Sequence, residues 1–312
     1  MADKDPGLDS LLSDLDDKVK TEIASTPTVE DWDEDTFDVA TLPITARKWI
    51  KVPDLRAVVA DLRNSTRLGT GKHAASTASI YEAATGNVVK VFDTFNADFI
   101  EIQGDGAFAL FWGDLRFERA LCAGITVKTF SEAMVERLKK KWPDADPTGF
   151  KVGVASHRVL VKRIGTLRNP AQQEPVWAGK PVNYAAKAAQ QADRHELLVT
   201  GSVWDQIECN DYLTITCPCG GGPSASLWTD ITIDKIPEED KERYGRRLGS
   251  TWCVHHGAEY AAAIMAGSKR RDDADTAKAA LSKQLMSNAI RLKAQTDRRS
   301  IRNRRVGLRR YR

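Results

Sequence analysis

This sequence predicts an α+β fold, a mixed sheet flanked by helices with a small C-terminal accessory region. Three observations carry that expectation. Apolar, β-branched runs such as Leu55-Arg-Ala-Val-Val-Ala-Asp61 alternate with long helix-forming stretches. Two apolar runs flank Gly104-Asp105-Gly106, which is hairpin chemistry because these residues tolerate the positive φ of a tight turn. Strands and helices then interleave, with hairpins inserted, as in an α+β or mixed α/β sandwich.

The elements follow in chain order. Residues 1–50 form an acidic N-terminal segment; with Pro27 and Pro43 and no long apolar period, it predicts a short helix and an extended linker. A compact region over 51–207 opens with the strand Leu55–Asp61, which ends on a carboxylate. Asn64, Ser65 and Thr66 offer N-cap chemistry, and a helix is expected through Ala74 to Ala84. The hairpin pairs Phe99–Gln103 with Ala107–Trp112. Helix signals return from Leu115 to Lys141 and stop at Pro143. Lys151-Val-Gly-Val-Ala and Arg158-Val-Leu-Val predict two strands, Asn183 to Ala192 an alanine-rich helix, and Leu197-Leu-Val a strand. Residues 208–265 form the accessory region, with Cys-Pro-Cys-Gly-Gly-Gly-Pro and then the alternating run Leu227–Ile233. Residues 266–312 read as a charged helix and a basic tail.

Composition narrows the class. Of 312 residues, 42% are hydrophobic and 29% charged, as in a soluble globular protein. No apolar run approaches the roughly 20 residues of a membrane helix, so no membrane span is expected. The acidic start, MADKDPGLDS, is neither a signal nor a transit sequence, and five cysteines, an odd number, read as reduced thiols. A cytoplasmic protein is expected. The net charge of +3 hides an acidic N-terminal segment and an arginine-dense tail.

The chemistry starts from Asp61 and Asp105. Hard divalent cations such as Mg²⁺ take oxygen ligands, commonly one or two carboxylates together with substrate phosphates. Aspartates at adjacent strand ends could hold two such ions against a triphosphate. The loop Arg63-Asn-Ser-Thr66 opens a helix, where backbone N–H groups and the dipole favour phosphate. Taken singly, each part also suits a plain cap or turn.

Four ordered blocks resemble the class III adenylyl and guanylyl cyclases: Val58-Val-Ala-Asp-Leu-Arg-Asn-Ser-Thr66, Ile102-Gln-Gly-Asp-Gly106, Gly153 to Gly165, and Trp177-Ala-Gly-Lys-Pro-Val-Asn183. The resemblance implies the class III catalytic fold over 51–207. It also implies two Mg²⁺ or Mn²⁺ ions on Asp61 and Asp105, assisted by the Leu62 carbonyl. Asn64, Ser65 and Thr66 would cradle phosphate through their N–H groups, and Arg63 would either reach a phosphate or face solvent. Asn183 would orient the ribose or the reacting phosphate; a helix N-cap is its other reading.

Departures from the family pattern set the substrate expectation. One turn after Asn183 the family usually carries arginine, and this chain has Lys187. Lysine keeps the positive charge without the planar two-pronged donor. At the two base-reading positions adenylyl cyclases have lysine and aspartate, whereas this chain has Glu101 and Val176, which disfavours ATP. A carboxylate wants a donor edge: guanine N1–H and N2–H₂, uracil N3–H, or the cytosine amine. An apolar Val176 suits a smaller base.

The blocks and the extra C-terminal region look like the bacterial pyrimidine cyclases of anti-phage Pycsar systems. That likeness implies cyclic UMP, ahead of cyclic CMP, made as a signal to a separate effector. It also implies a homodimer with active sites at the interface, metals from one subunit and Asn183 with Lys187 from the other. The alternatives are a purine cyclase and a non-catalytic nucleotide-binding regulator.

Other motifs point elsewhere less well. Gly69-Thr-Gly-Lys72 lacks P-loop spacing and reads as a loop. Cys217-Pro-Cys219 with Cys253-Val-His255-His256 offers zinc-type ligands, but its gap is not that of a zinc ribbon, and reduced thiols are expected. The tail suits nucleic acid or an acidic surface, though a solvated or intramolecularly paired tail is the simpler expectation.

Overall fold

A computed structural model of the chain describes residues 7–33, 37–217, 219, 227–250, 252–253, 255–276, 278–279, 282–283 and 285–293. The tail arginines from Arg298 onward, and the glycines after Cys219, lie outside the described residues. Two compact units form, one from Met1–Leu55 with His157–Pro181, the other from Arg56–Ser156 with Val182–Arg312.

The first unit holds helix α1 (Leu8–Ala24), strand β1 (Thr28–Asp31) and strand β6 (Gln173–Gly179), with the first part of β2 (Lys48–Arg63) and the last part of β5 (Gly149–Gly165). β1 runs parallel to β2 in the register Thr28↔Lys48, and Lys48–Glu30 and Lys51–Asp31 ion pairs line this short ladder. β5 and β6 form an antiparallel ribbon from Val159↔Gly179 to Gly165↔Gln173. The two strands expected at 151–155 and 158–161 are thus one continuous strand. Ser156 and His157 are polar but supply no turn chemistry, so nothing between the apolar runs breaks the extended chain.

In the second unit the strand order is β3-β4-β2-β5-β7-β9-β8, with β3 Phe99–Gln103, β4 Gly106–Phe111, β7 Glu196–Val199, β8 Trp228–Thr232 and β9 Tyr244–Leu248. β5 and β7 pair parallel; the β2–β4, β3–β4, β7–β9 and β8–β9 ladders are antiparallel. The sheet is therefore mixed, as expected. β9 was hidden by its charge: Tyr-Gly-Arg-Arg-Leu reads as polar, yet Gly245 and Leu248 are buried. A Cβ on Gly245 would lie 2.3 Å from the Val199 carbonyl oxygen.

Helices cover both faces. α2 (Ala74–Tyr81) passes through a π turn at Glu82–Gly86 into α3 (Asn87–Thr94), so the helical stretch breaks its α pattern before Ala84, where the expected helix ended, and then continues beyond it. α4 (Arg116–Lys141) buries Leu121, Ile125 and Val135 in a core with Val58, Ala60 and Leu62 of β2 and Val152 and Val154 of β5. At Gly124 a Cβ would touch Leu197, Val154 and Val152, so α4 lies on the face that Val152 and Val154 present. Gly153 points the other way. There α5 (Lys180–Gln191) approaches so closely that a Cβ would sit 2.0 Å from the Ala185 carbonyl oxygen. Only glycine permits that backbone contact. α6 (Gly201–Ile207), α7 (Asp211–Thr214) and α8 (Gly257–Met265) complete the unit.

Candidate active site

Asp61 lies near the end of β2, one residue beyond the rung Ala60↔Ala107 that joins β2 to β4. Gly106, the first residue of β4, is pressed against this strand end: a Cβ there would lie 2.5 Å from the Ala60 carbonyl oxygen and 3.5 Å from the Asp61 Cα. The Gly-Asp-Gly turn is thereby drawn onto the end of β2 that carries Asp61. Gly104 holds the turn at φ 63°, and Asp105 follows it. A second tether comes from the π turn, where Thr85 Oγ1 donates to the Asp105 carbonyl at 3.0 Å. Insertions of this kind are enriched at functional sites. The fold thus brings the two aspartates to neighbouring strand ends.

The donor set there is all oxygen: the Asp61 and Asp105 carboxylates with the Leu62 carbonyl. Hard divalent cations take such donors. The side chain of Leu62 is buried in the core, which holds its backbone in place. Asp61 is 40% exposed, and its Oδ2 accepts an ion pair from Lys151 Nζ at 2.6 Å. Cationic charge already sits against this carboxylate, so the residues fit divalent ions. Lys151 went unnoticed in the sequence because it opens an ordinary strand.

Residues 63–67 form a clamped loop. Asn64 adopts a left-handed conformation, φ 59°, and its side-chain amide donates to the Pro147 carbonyl at 2.9 Å. Thr148 Oγ1 donates to the Arg63 carbonyl at 2.7 Å. Ser65–Arg67 make a 3₁₀ turn whose internal bonds begin with the N–H of Arg67 to the Asn64 carbonyl and that of Leu68 to the Ser65 carbonyl. The N–H groups of Ser65 and Thr66 precede those bonds, as at every helix start, and can face an anion. Arg63 faces solvent, as one of its two expected readings had it, and its guanidinium is ion-paired with Asp193. The amide of Asn64 is likewise spent on Pro147. A phosphate cradle here would rest on backbone rather than on these side chains.

Asn183 is not a helix cap. α5 begins at Lys180, so Asn183 lies inside its first turn, exposed, and Lys187 follows at the i+4 position on the same face. Lys187 Nζ sits 5.3 Å from the centre of the Tyr184 ring, and the Tyr184 hydroxyl donates to Asp240 Oδ2 at 2.8 Å. Burial, then the bond to Asp240, pushes the Tyr184 phenol up to about 12, so it stays a neutral donor. The far end of α5 faces the phosphate loop, because Asp193, just past Gln191, binds Arg63. From Asn183 to Gln191 the helix rises roughly 12 Å. Asn183 is therefore carried away from the loop of its own chain.

The two positions expected to read the base lie on β3 and β6. Glu101 is on β3 opposite Phe108, and its Oε1 accepts from Gln103 Nε2 at 3.1 Å. Val176 belongs to the first unit, on β6 opposite Lys162, and is 41% exposed.

Similarity to known proteins then places the chain. A uridylate cyclase from Micromonospora echinofusca is 57% identical over 294 residues, spanning 94% of this chain and 95% of that protein. The chain belongs to the uridylate cyclase family. A second member, from Propioniciclava tarda, is 49% identical over 300 residues, 95% of this chain and 96% of its own. Among solved structures, a class III adenylyl cyclase-like ATP-binding protein from Pseudomonas aeruginosa matches with a TM-score of 0.50 at 14% identity, over 63% of this chain and 43% of that one. That likeness shows the class III cyclase fold. No family model matches the sequence. Among the described residues no helix is long and apolar enough to cross a membrane.

Proposed function

We propose that this chain is a nucleotidyl cyclase that converts a pyrimidine nucleoside triphosphate, UTP ahead of CTP, to the 3′,5′-cyclic monophosphate and pyrophosphate. The observation that carries the reading is the joining of Asp61 and Asp105 at neighbouring strand ends beside an anion-ready turn. The relatives named uridylate cyclase support the base.

Asp61, Asp105 and the Leu62 carbonyl would hold two divalent ions, Mg²⁺ or Mn²⁺; when bound, these acidify the 3′-hydroxyl and neutralise the triphosphate. The chain's own residues do the rest. Ser65 and Thr66 N–H groups bind phosphate, aided by the Asn64 backbone. Asn183 orients the ribose or the α-phosphate, and Lys187 places an ammonium where negative charge develops. The 3′-oxygen attacks the α-phosphorus, its proton passes to water, and the α-phosphorus–oxygen bond to the β-phosphate breaks, pyrophosphate leaving with the electron pair. Glu101 accepts a hydrogen bond from the base, with N3–H of uracil as its donor, and Val176 fills the space a purine would need.

The length of α5 between Asn183 and the phosphate loop supports a homodimer, each site using the metal carboxylates of one chain and Asn183 with Lys187 of the other. The product serves as an antiviral signal in the cytoplasm, read by a separate effector.

The test offers purified protein each of ATP, GTP, CTP and UTP with Mn²⁺ or Mg²⁺. Cyclic UMP as the main product is expected, with cyclic CMP second. Cyclic AMP or GMP as the main product would refute the pyrimidine reading while keeping the fold. No product from any of the four would favour the non-catalytic nucleotide-binding reading.

A further inference from the structure

Four side chains of the accessory region converge on one point away from the aspartates. Cys217, Cys219, Cys253 and His256 each place a ligand atom within 4.8 Å of all the others. His256 Nδ1 lies 3.3 Å from Cys219 Sγ and 3.3 Å from Cys253 Sγ. The histidine is His256, whose ring turns into the cluster, and not the neighbouring His255. All three cysteines are free thiols.

We propose that this cluster is a structural zinc site with a Cys₃His ligand set. Thiols are weak hydrogen-bonding groups, and three of them gain little by crowding one imidazole nitrogen. Tetrahedral zinc, with bonds of about 2.3 Å to sulfur and about 2.0 Å to nitrogen, sets sulfur–sulfur edges near about 3.8 Å and sulfur–nitrogen edges near about 3.5 Å. The cluster is close to that size before any ion is added. The His256 N–H donates to Cys253 Sγ at 3.2 Å, a bond that favours the thiolate a metal requires. Three soft sulfurs and an imidazole select zinc over the hard cations suited to Asp61 and Asp105.

The surroundings explain what the ion would do. Cys217 and Cys219 follow Ile215, and Cys253 with His256 leads into α8. His256 packs against Tyr260 at 5.4 Å between ring centres, and Tyr260 against Tyr212 at 5.3 Å. Arg271 covers the Tyr260 ring and donates to the Ile215 and Thr216 carbonyls, the two that immediately precede Cys217. Among the described residues, Ile215 and Ala274 form a small apolar cluster of their own at this end. A metal cross-link would add rigidity there, as in other small metal-binding domains. The odd spacing, Cys-x-Cys followed at a distance by Cys-x-x-His, conceals the site from a reading based on zinc-ribbon gaps.

The experiment measures metal in the full-length enzyme, purified without an affinity tag that binds metal, by inductively coupled plasma mass spectrometry. Stoichiometric zinc is expected, retained in Cys209→Ser and in Asp61→Asn and lost in Cys253→Ser. His256→Ala should lose it and His256→Cys, which restores a fourth soft ligand, should keep it. Cobalt substitution of the wild-type protein should give the intense visible bands of a tetrahedral thiolate site, a readout that needs no variant to fold. Wild-type enzyme free of zinc with its thiols reduced or joined in a disulfide, iron in place of zinc, or equal zinc loss in Cys209→Ser would each overturn the proposal.

Discussion

Lys151 Nζ holds Asp61 Oδ2 at 2.6 Å, so a carboxylate expected to carry metal is met by a cation of the protein itself. Lys151 is only 15% exposed and sits on the strand beside β2. The ammonium holds the carboxylate in place, and it must yield that oxygen when a divalent ion arrives. Lys151→Met removes the competitor. The half-saturating Mn²⁺ concentration should fall several-fold, a change of about 1 kcal/mol, in keeping with a partly exposed pair. A Mn²⁺ titration of activity checks this; an unchanged or higher requirement would show that Lys151 helps the metal rather than competing with it.

Thr85 tests whether the π turn positions the second aspartate. Thr85→Val keeps shape and removes the hydroxyl that donates to the Asp105 carbonyl. We expect a stability loss of about 1 kcal/mol and a fall in kcat larger than that loss explains at a temperature where the protein stays folded. A variant with lower melting temperature but unchanged kcat would reduce Thr85 to a packing role.

Gly153→Ala tests the seat of α5. Its methyl group would meet backbone atoms of Ala185 and Ala189, neither of which can rotate aside. The cost should be at least 1–3 kcal/mol, roughly that of overpacking a core, read by chemical denaturation. Activity should fall as well, because Asn183 and Lys187 ride on the displaced helix.

The sequence revealed much of this fold, and what it hid has physical causes. The Gly-Asp-Gly hairpin was legible because its turn chemistry is local: its first strand is the expected Phe99–Gln103, and its second, Gly106–Phe111, starts and stops one residue before the expected Ala107–Trp112. Asp61 and Asp105 stood out for similarly local reasons, one at the end of an apolar run and the other in the turn between two. Lys151, Thr85, Thr148 and Asp193 did not, because each acts through a contact distant in the chain. The pairing of Arg63 with Asp193 spans 130 residues, and no spacing rule could announce it. β9 was missed because exposed arginines mask a strand anchored by Gly245 and Leu248.

His195 gives a pH dependence. It lies in a left-handed conformation, φ 63°, with its Nδ1 2.9 Å from Ser131 Oγ, which also accepts the Phe150 N–H. Burial holds the imidazole below its usual range; Glu132 opposes this, while Arg194, Lys128 and Lys139 add to it. The unfolded chain therefore binds a proton before the folded one does. The stability this group contributes is fully present above the unfolded value of about 6.5 and is lost as pH falls below it toward the folded value. Urea midpoints from pH 7.5 to 5 should decline more steeply in wild type than in His195→Asn. Parallel slopes would show that other groups set the acid limb.

Mixing tests the two-chain site. Asp61→Ala and Asn183→Ala should each be inactive alone. Combined after dissociation and reassociation, they should recover part of the activity, because one site of the mixed dimer then holds both intact halves. No recovery, with mixed dimers shown to form, would place both sets of residues in one chain.

Asp61 and Asp105 are expected to drive cyclisation of a pyrimidine triphosphate. The most direct measurement follows UTP with Mn²⁺ by chromatography while counting pyrophosphate, for wild type, Asp61→Asn and Asp105→Asn, each shown to be folded by circular dichroism. Cyclic UMP and pyrophosphate are expected in equal amounts from wild type, and at least about a hundredfold less from either variant, the scale of losing a transition-state contact. Cyclic UMP formed at wild-type rate by a folded Asp61→Asn protein would contradict that expectation.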